Sequence, residues 1–308
     1  EKMAGRTMAV YRELMGSMHI LVIKLSSLGD VILITASLRA LRKKFPQAKI
    51  YCLVGEEARS ILQRCPYVDG LIPMDLNADG KNWWSLFRFG RRLGRYHFDK
   101  VIDFQNNRKS HVLAALAFSR ESCGYGNKKF GWLLSSPVAR PDNNLPPVEH
   151  QFRILEMLGI VYKKEMLLEL WPTETDRRSV QKLLEEEWLG GNAAIVGINL
   201  SASARWESKN WSVASIARLI DLVSARNMRV VLTGMDKDRG RAQQVMALAK
   251  TRPANLVGKT SIMELAAFMK YCKVYVTPDS APLHIAAAMK TPLIAFFGPT
   301  SAARHMPP

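Results

Sequence analysis

The sequence predicts an α/β protein of two domains, each built on a parallel sheet covered by helices. Its 308 residues, 48% hydrophobic and 23% charged, exceed what a single core usually accommodates. Short β-branched and apolar runs alternate with helical patterns, which is typical of parallel sheets. The alternation occurs twice, on either side of a polar, proline-rich stretch at 137–147. We therefore expect two similar domains whose strands direct their carboxyl ends, where such folds bind ligands, toward a shared cleft.

The amino-terminal half predicts a strand, a tight turn and a helix, followed by further elements in the same rhythm. The first strand is apolar and β-branched, and the helical pattern after it ends at Pro46. The predicted strands cover 19–25, 49–54, 70–73 and 100–104, and the predicted helices cover 31–45, 58–64 and 149–158. Residues 1–17 precede these elements and are expected to form a short extension.

The carboxyl-terminal half repeats this order after a connector at Trp171-Pro172-Thr173. The predicted strands cover 194–199, 229–233, 274–277 and 292–297, and the predicted helices cover 213–225, 238–250, 262–269 and 285–289. We therefore expect a first domain over 18–170 and a second over 171–308.

The charge of the chain indicates an anionic partner. Lys and Arg total 44 against 27 Asp and Glu, a formal net charge of +17. Nucleic acid, an acidic membrane surface and phosphorylated substrates would all be attracted. Nucleic acid is not expected, because the basic residues are dispersed and no RNP-type, zinc-finger or helix-turn-helix motif is present.

Cysteine spacing and hydropathy argue against two further classes of protein. The four cysteines, Cys52, Cys65, Cys123 and Cys272, lie far apart, with no C-x-x-C pair and no histidine at metal-ligand spacing. A disulfide framework or a zinc site is therefore not expected. No run approaches the ~18 to 20 apolar residues of a membrane-spanning helix, and the amino terminus lacks a secretory signal pattern. We expect a cytoplasmic protein with reduced thiols.

The turn after the first strand reads Ser26-Ser27-Leu28-Gly29-Asp30. Small residues and glycine let the chain turn sharply into the next helix, whose first amides can receive an anionic group. On local sequence alone, Asp30 has two explanations of equal weight. It is either a first-turn acid that favours the helix dipole or a functional carboxylate.

A second strand-to-helix turn covers Thr277 to His284. Asp279 and Ser280 can cap the following helix while its free amides face a ligand phosphate. His284 falls one turn into the helix, on the side of Ser280. The alternative is that the first two are ordinary caps and His284 is a packed core residue, but the strand-turn-helix context favours a functional role.

A third candidate, Asn199-Leu200-Ser201-Ala202-Ser203, also follows a strand and precedes Lys209-Asn210-Trp211. Hydroxyls and a lysine suit a diphosphate, although a solvated loop with a tryptophan anchor explains them equally. Gly258-Lys259-Thr260 lacks the earlier glycine of a P-loop. Asp236-Lys237-Asp238 has a spacing used by some metal-dependent enzymes, but paired carboxylates after a strand more often begin a helix or contact a ribose.

Taken in order, these motifs resemble the heptosyltransferases of lipopolysaccharide core assembly, glycosyltransferase family 9. The resemblance runs from about Met18 to Thr300. The motifs that carry it are ILVIKLSSLGD ending at Asp30, Lys209-Asn210-Trp211, Asp279-Ser280-Ala281-Pro282-Leu283-His284 and Phe297-Gly298-Pro299-Thr300. It implies the GT-B fold, in which two Rossmann-like domains face each other across a cleft.

The resemblance implies an inverting, metal-independent transfer of heptose from ADP-heptose to a lipopolysaccharide inner-core acceptor, with no cofactor. Asp30 would be the general base that takes the proton of the acceptor hydroxyl, and Lys209 would stabilise the departing ADP. Other residues implied for the donor are Ser201, Asp236 or Asp238 at the ribose, Asp279, Ser280, Ala281, Leu283 and His284, and those implied for the acceptor are Ser27, Gly29, Lys109 and Arg120.

With this function, the basic charge favours a peripheral position on the inner face of the inner membrane, near a phosphorylated glycolipid acceptor. The sequence departs from the family at Ala281-Pro282, where many members carry Gly and a small or polar residue, and Pro282 removes one amide. Family members usually continue past Thr300 into further helices that pack back on the first domain, so we expect either that the second domain is incomplete at its carboxyl end or that domain closure is arranged differently. The alternatives are a GT-B enzyme for another nucleotide sugar and a nucleotide-sugar-binding module without turnover.

Overall fold

A computed structural model describes residues 17–139, 145–187, 193–202 and 208–308. Nearly all of the extension expected over 1–17, and Ser203 of the third candidate, lie outside these residues. The described chain divides into two compact units. The first consists of 17–27, 36–139 and 149–166, and the second of 28–35, 145–148 and 167–308.

Strands and helices alternate through the amino-terminal half. The strands are β1 (His19–Lys24), β2 (Lys49–Gly55), β3 (Gly70–Met74), β4 (Lys100–Asp103), β5 (Glu121–Tyr125) and β6 (Ser136–Val138). The helices are α1 (Leu28–Lys44), α2 (Arg59–Leu62), α3 (Trp83–Leu93), α4 (Arg108–Leu116) and α5 (Pro147–Leu155). The predicted first helix thus begins earlier than expected, at Leu28, and Asp30 lies in its first turn.

The carboxyl-terminal half has the same alternation. Its strands are β7 (Ile195–Asn199), β8 (Arg229–Thr233), β9 (Ala254–Asn255), β10 (Cys272–Pro278) and β11 (Leu293–Phe296). Its helices are α6 (Glu174–Glu186), α7 (Val213–Ser224), α8 (Arg239–Leu248), α9 (Ile262–Met269), α10 (Ala281–Ala288) and α11 (Ala302–His305).

Each unit contains one parallel sheet. The strand order is β3-β2-β1-β4-β5-β6 in the first and β11-β10-β7-β8-β9 in the second. In both sheets the order reverses beside the first strand, between β1 and β4 and between β7 and β10. Open α/β sheets bind ligands outside the carboxyl ends of the strands at this point. The predicted α/β class with two parallel sheets is therefore confirmed.

Burial explains why the central strands form. Ile20, Leu21 and Ile23 of β1 have no exposed surface, because helices cover both faces of a parallel sheet. Full burial of such a side chain contributes about 1.5–3 kcal/mol. All four cysteines are buried and free, and burial raises the pKa of the Cys52 thiol. No described helix is both long enough and apolar enough to cross a membrane.

Candidate active site

The carboxyl ends of β7 and β10 meet through the side chain of Asn199. Ile198 of β7 lies opposite Val276 of β10, so the residues after these strands are neighbours. The Asn199 amide donates to Thr277 Oγ1 at 3.1 Å and to Ser280 Oγ at 3.2 Å. Two of the turns singled out in the sequence are thus joined by one buried side chain.

Lys209 and Asp279 form a buried ion pair at this end of the sheet. Lys209 Nζ lies 2.7 Å from Asp279 Oδ2, and the two side chains are 9% and 6% exposed. Thr300 Oγ1 donates to the same oxygen at 2.7 Å. Burial opposes ionisation of Asp279, but the hydrogen bonds from Lys209 and Thr300 and the Lys209 charge outweigh it, so the pKa of Asp279 lies below its usual value. A fixed cation and carboxylate therefore stand beside the start of α10.

No side chain caps α10, contrary to the capping expected of Asp279 and Ser280. Ser280 occupies the N-cap position, but its hydroxyl donates to the Pro278 carbonyl at 3.1 Å instead. The Leu283 amide donates to the Ser280 carbonyl at 3.0 Å, and the Leu283 side chain is buried. Since Pro282 has no N–H, the Ala281 amide is the one that we expect to face a ligand.

His284 is buried in the first turns of α10, against the start of α1. A β-carbon on Gly29 would lie 2.5 Å from His284 Cδ2, so only glycine fits there. His284 Nδ1 has no hydrogen-bond partner among the described residues. Burial lowers the pKa of His284 to about 4, against the raising influence of Asp30 and then of Asp279. The ring is therefore neutral near pH 7, and Asp30 lies close enough to raise the pKa of the ring electrostatically.

The two carboxylates after β8 have different surroundings. Asp238 is buried, and its two oxygens accept from Ser201 Oγ at 2.7 Å and from the Met235 amide at 2.8 Å. Asp236 is 78% exposed and pairs with Arg239 at 2.5 Å. Asp238 thus organises the turn and positions Ser201, whereas Asp236 faces solvent.

In the first unit, a cavity of about 470 Å³ opens where the strand order reverses between β1 and β4. Its lining has no acidic residue and includes three basic ones, Arg108, Lys109 and Lys129. Lys109 Nζ also donates to the Gly80 carbonyl at 2.6 Å. Ser26 lines the cavity, and the adjacent Ser27 is exposed. The cavity suits a ligand with phosphate or carboxylate groups.

Gln105, which the sequence analysis did not single out, holds one wall of this cavity. Its Oε1 accepts from the amides of Leu25 and Ser26 at 3.1 and 3.2 Å. The backbone amide of Gln105 donates at 2.8 Å to Asp103, which is fully buried. Burial raises the pKa of Asp103, although hydrogen bonds from Ser110 and nearby amides oppose the rise. The signal in the sequence that could have identified Gln105 is the polar segment directly after a buried strand.

Arg120 lies away from the cavity. Arg120 precedes β5, is 79% exposed and lies 3.7 Å from Asp99, which precedes β4. The cavity is at the opposite, carboxyl ends of β1 and β4, roughly 13 Å further along the strands at about 3.3 Å per residue. The structure therefore does not bring Arg120 together with Lys109.

A metal centre receives no support from the geometry of the D-x-D segment. Asp236 and Asp238 point to different partners, as described above. Within the described ranges, no group of three or more His, Cys, Asp or Glu side chains is arranged to hold a metal ion.

Three solved structures share this fold. The glycosyl transferase family 9 protein of Veillonella parvula has a TM-score of 0.86 at 24% identity, covering 94% of this chain and 84% of that one. The ADP-heptose lipopolysaccharide heptosyltransferase II of Escherichia coli has a TM-score of 0.79 at 25% identity, covering 94% and 88%. Heptosyltransferase WaaC of E. coli with ADP-2-deoxy-2-fluoro heptose has a TM-score of 0.69 at 24% identity, covering 92% and 90%.

The fold is that of a GT-B glycosyltransferase. Lipopolysaccharide heptosyltransferase 2 of Salmonella typhimurium is 27% identical over 292 residues, which cover 92% of this chain and 84% of that protein. Residues 86–308 match the model of glycosyltransferase family 9 (heptosyltransferase). The chain belongs to this family, as the sequence resemblance implied.

Proposed function

We propose that this protein transfers heptose from ADP-heptose to a hydroxyl of a phosphorylated lipopolysaccharide inner-core acceptor, with inversion and without a metal. The observation that carries the proposal is the grouping of Asp30, His284 and the Lys209–Asp279 pair, in which Asp30 and Asp279 both act on His284. An inverting displacement needs a base for the attacking hydroxyl and positive charge at the leaving group. The grouping contains both.

On the donor side, the fixed Lys209 ammonium would stabilise the charge that develops on the departing ADP. His284 is neutral and buried beside the Lys209–Asp279 pair, so it would form part of the wall of the donor site without adding charge. Asp236 is the better candidate for the ribose, because both oxygens of Asp238 are engaged. The ADP moiety is proposed from the relatives, whose names include ADP-heptose and an ADP-heptose analogue.

On the acceptor side, Asp30 would take the proton of the attacking hydroxyl. The basic cavity lined by Arg108, Lys109 and Lys129 would receive phosphate groups of the acceptor. This division of labour requires the acceptor hydroxyl to come within about 3 Å of the Asp30 carboxylate.

The test is incubation with ADP-heptose and truncated lipopolysaccharide acceptors, followed by mass spectrometry. We expect one heptose to be added, with or without a chelator, and far slower addition by Asp30→Asn. Calorimetric titration with ADP, UDP and GDP checks the donor separately. Tighter binding of UDP than of ADP would contradict the donor assignment, and loss of turnover on chelation would contradict metal independence.

A further inference from the structure

The outer face of α3 carries three large aromatic side chains in solvent. Its inner face packs Leu86 and Phe89 into the core of the first unit. With about 3.6 residues per turn, Trp84 and Phe87 fall on the opposite side, and Trp83 falls beside them at the edge of the inner face. Their exposed fractions are 54%, 73% and 40%. Single exposed apolar residues are ordinary, but several together on one face mark an interaction surface.

The exposed aromatic surface continues beyond α3 onto the turn at 126–132. The Trp83 ring lies 6.2 Å from Phe130, and Phe130 lies 6.3 Å from Trp132, which is 76% exposed. These separations are within the range of aromatic contacts. We call Trp83, Trp84, Phe87, Phe130 and Trp132 the aromatic patch.

Basic residues surround the aromatic patch. Arg88, Arg91 and Arg92 lie on the outer face of α3, and Lys128 and Lys129 precede Phe130. Helix α3 has no acidic residue. Within the part of the chain that the structure describes, Arg92 pairs with Asp79, whereas Arg88 and Arg91 pair with no carboxylate. Their charge is therefore available to an external partner.

We propose that the aromatic patch and its basic residues form a docking surface for a bilayer containing anionic phospholipid. Tryptophan is enriched at membrane interfaces, and amphipathic helices with basic and aromatic faces lie in the plane of the interface. Anionic headgroups complement the arginines. Single-stranded nucleic acid fits less well, since it needs a groove with separated rings. Here Trp84 and Phe87 stack on each other, at 6.2 Å and 23°, on the convex outside of a helix.

The docking surface adjoins the basic cavity of the first unit. The Arg108 guanidinium lies 5.9 Å from the Phe130 ring and also lines the cavity, as does Lys129. A bilayer at the aromatic patch would therefore border the cavity at which we propose that the lipid-anchored acceptor binds. The inference does not depend on the proposed function, because lipid binding is measured without turnover.

The experiment is co-sedimentation of the full chain with vesicles of phosphatidylcholine alone or mixed with phosphatidylglycerol. We expect wild-type binding to the mixed vesicles only. Arg88→Gln with Arg91→Gln should weaken binding about 30-fold, since each basic residue at an anionic surface contributes about fivefold. Trp83→Ser, Trp84→Ser and Phe87→Ser together should weaken it by more than about tenfold.

Matched controls change equally exposed residues elsewhere. Leu222→Ser with Leu248→Ser, and Arg177→Gln with Arg178→Gln, should bind as the wild type does. Circular dichroism and thermal unfolding check folding, and the arginine variant decides the matter if the aromatic one is unfolded.

Four results would overturn the proposal. They are absence of wild-type binding, binding that is independent of phosphatidylglycerol, unchanged binding of the arginine variant, and tighter binding to oligothymidine than to vesicles. Self-association of the wild type that the variants lose, with vesicle binding unchanged, would assign the patch to a second copy of the chain instead.

Discussion

The carboxyl ends of the two sheets have the same topology but different chemistry. In the second unit, cations and carboxylates are paired with each other, as in the Lys209–Asp279 ion pair. In the first unit, the cavity has basic residues and no acid in its lining, and its wall is held by Gln105 through backbone amides. Since strand order sets where such folds bind ligands, we expect the side chains after the strands to set which ligand each end binds.

The difference also concerns how rigid each end is without ligand. A buried ion pair with an additional hydroxyl donor holds its geometry, and losing one partner leaves a buried charge uncompensated. Exposed cations around an open cavity contribute little to stability on their own. We call the carboxyl end of the first unit's sheet the first end and that of the second unit's sheet the second end. We expect substitutions at the second end to affect folding as well as catalysis, and substitutions at the first end to affect mainly acceptor binding.

The largest expected effect is that of Asp30→Asn. Because general base catalysis contributes about 10²- to 10⁴-fold, kcat should fall by this factor while the affinity for ADP stays nearly unchanged. Steady-state kinetics and calorimetry measure the two quantities. The matched control is Asp236→Asn, which should raise the donor KM at nearly constant kcat. Equal activity of Asp30→Asn and wild type would rule out Asp30 as the base.

Removal of Lys209 tests the rigidity of the second end. Lys209→Ala should destabilise the protein by about 3 kcal/mol, because Asp279 is left buried without its cation. Lys209→Ala with Asp279→Asn should be less destabilised than Lys209→Ala alone. Lys109→Ala, at the first end, should change stability by less than about 1 kcal/mol. Urea unfolding measures all three, and similar losses at the two ends would remove the distinction between them.

The pKa of His284 predicts a stability loss in weak acid. The folded-state pKa is about 4 against an ordinary 6.5, so folding favours the neutral ring. The contribution of the neutral ring to the free energy of unfolding is complete above about pH 6.5. About 3 kcal/mol of it is lost as the pH falls toward 4. His284→Gln should lack this loss. Asp279 adds its own loss only at lower pH, because its pKa is held below the usual value.

Unfolding of the wild type and His284→Gln at neutral pH and near pH 4 measures the difference. Parallel stability curves for the two proteins over this range would show that His284 is not the group responsible.

The smallest expected effect is that of Gln105→Ala at the first end. It removes the acceptor of the Leu25 and Ser26 amides beside the cavity, where water can replace it, so it should cost only about 1 kcal/mol and raise the KM for the acceptor but not for the donor. Gln105→Glu keeps an oxygen for both amides and is the matched control. An equal rise of KM in both variants would show that the lost acceptor oxygen is not the cause.

The elements that the sequence predicted best are those with an unbroken local pattern. The strand at 229–233 and the helix at 262–269 have the predicted bounds. Helix α3 was missed although its pattern is amphipathic, with Leu86, Phe89 and Leu93 buried on one face. Strand β5 was missed because Glu121–Tyr125 has no β-branched residue, and β6 because it contains Pro137. Pairing with neighbouring strands overrides these weak local preferences.

The sequence by itself determined the two α/β halves, the strand-to-helix turns and the residue types that follow the strands, because these depend on near neighbours in the chain. Only the tertiary structure decided which of those residues meet. It joined Lys209 to Asp279 across 70 positions, packed Gly29 on His284, brought Gln105 to Ser26 and separated Arg120 from Lys109. Such partners depend on strand order and register, which bring distant segments together and set the burial that shifts the pKa of His284.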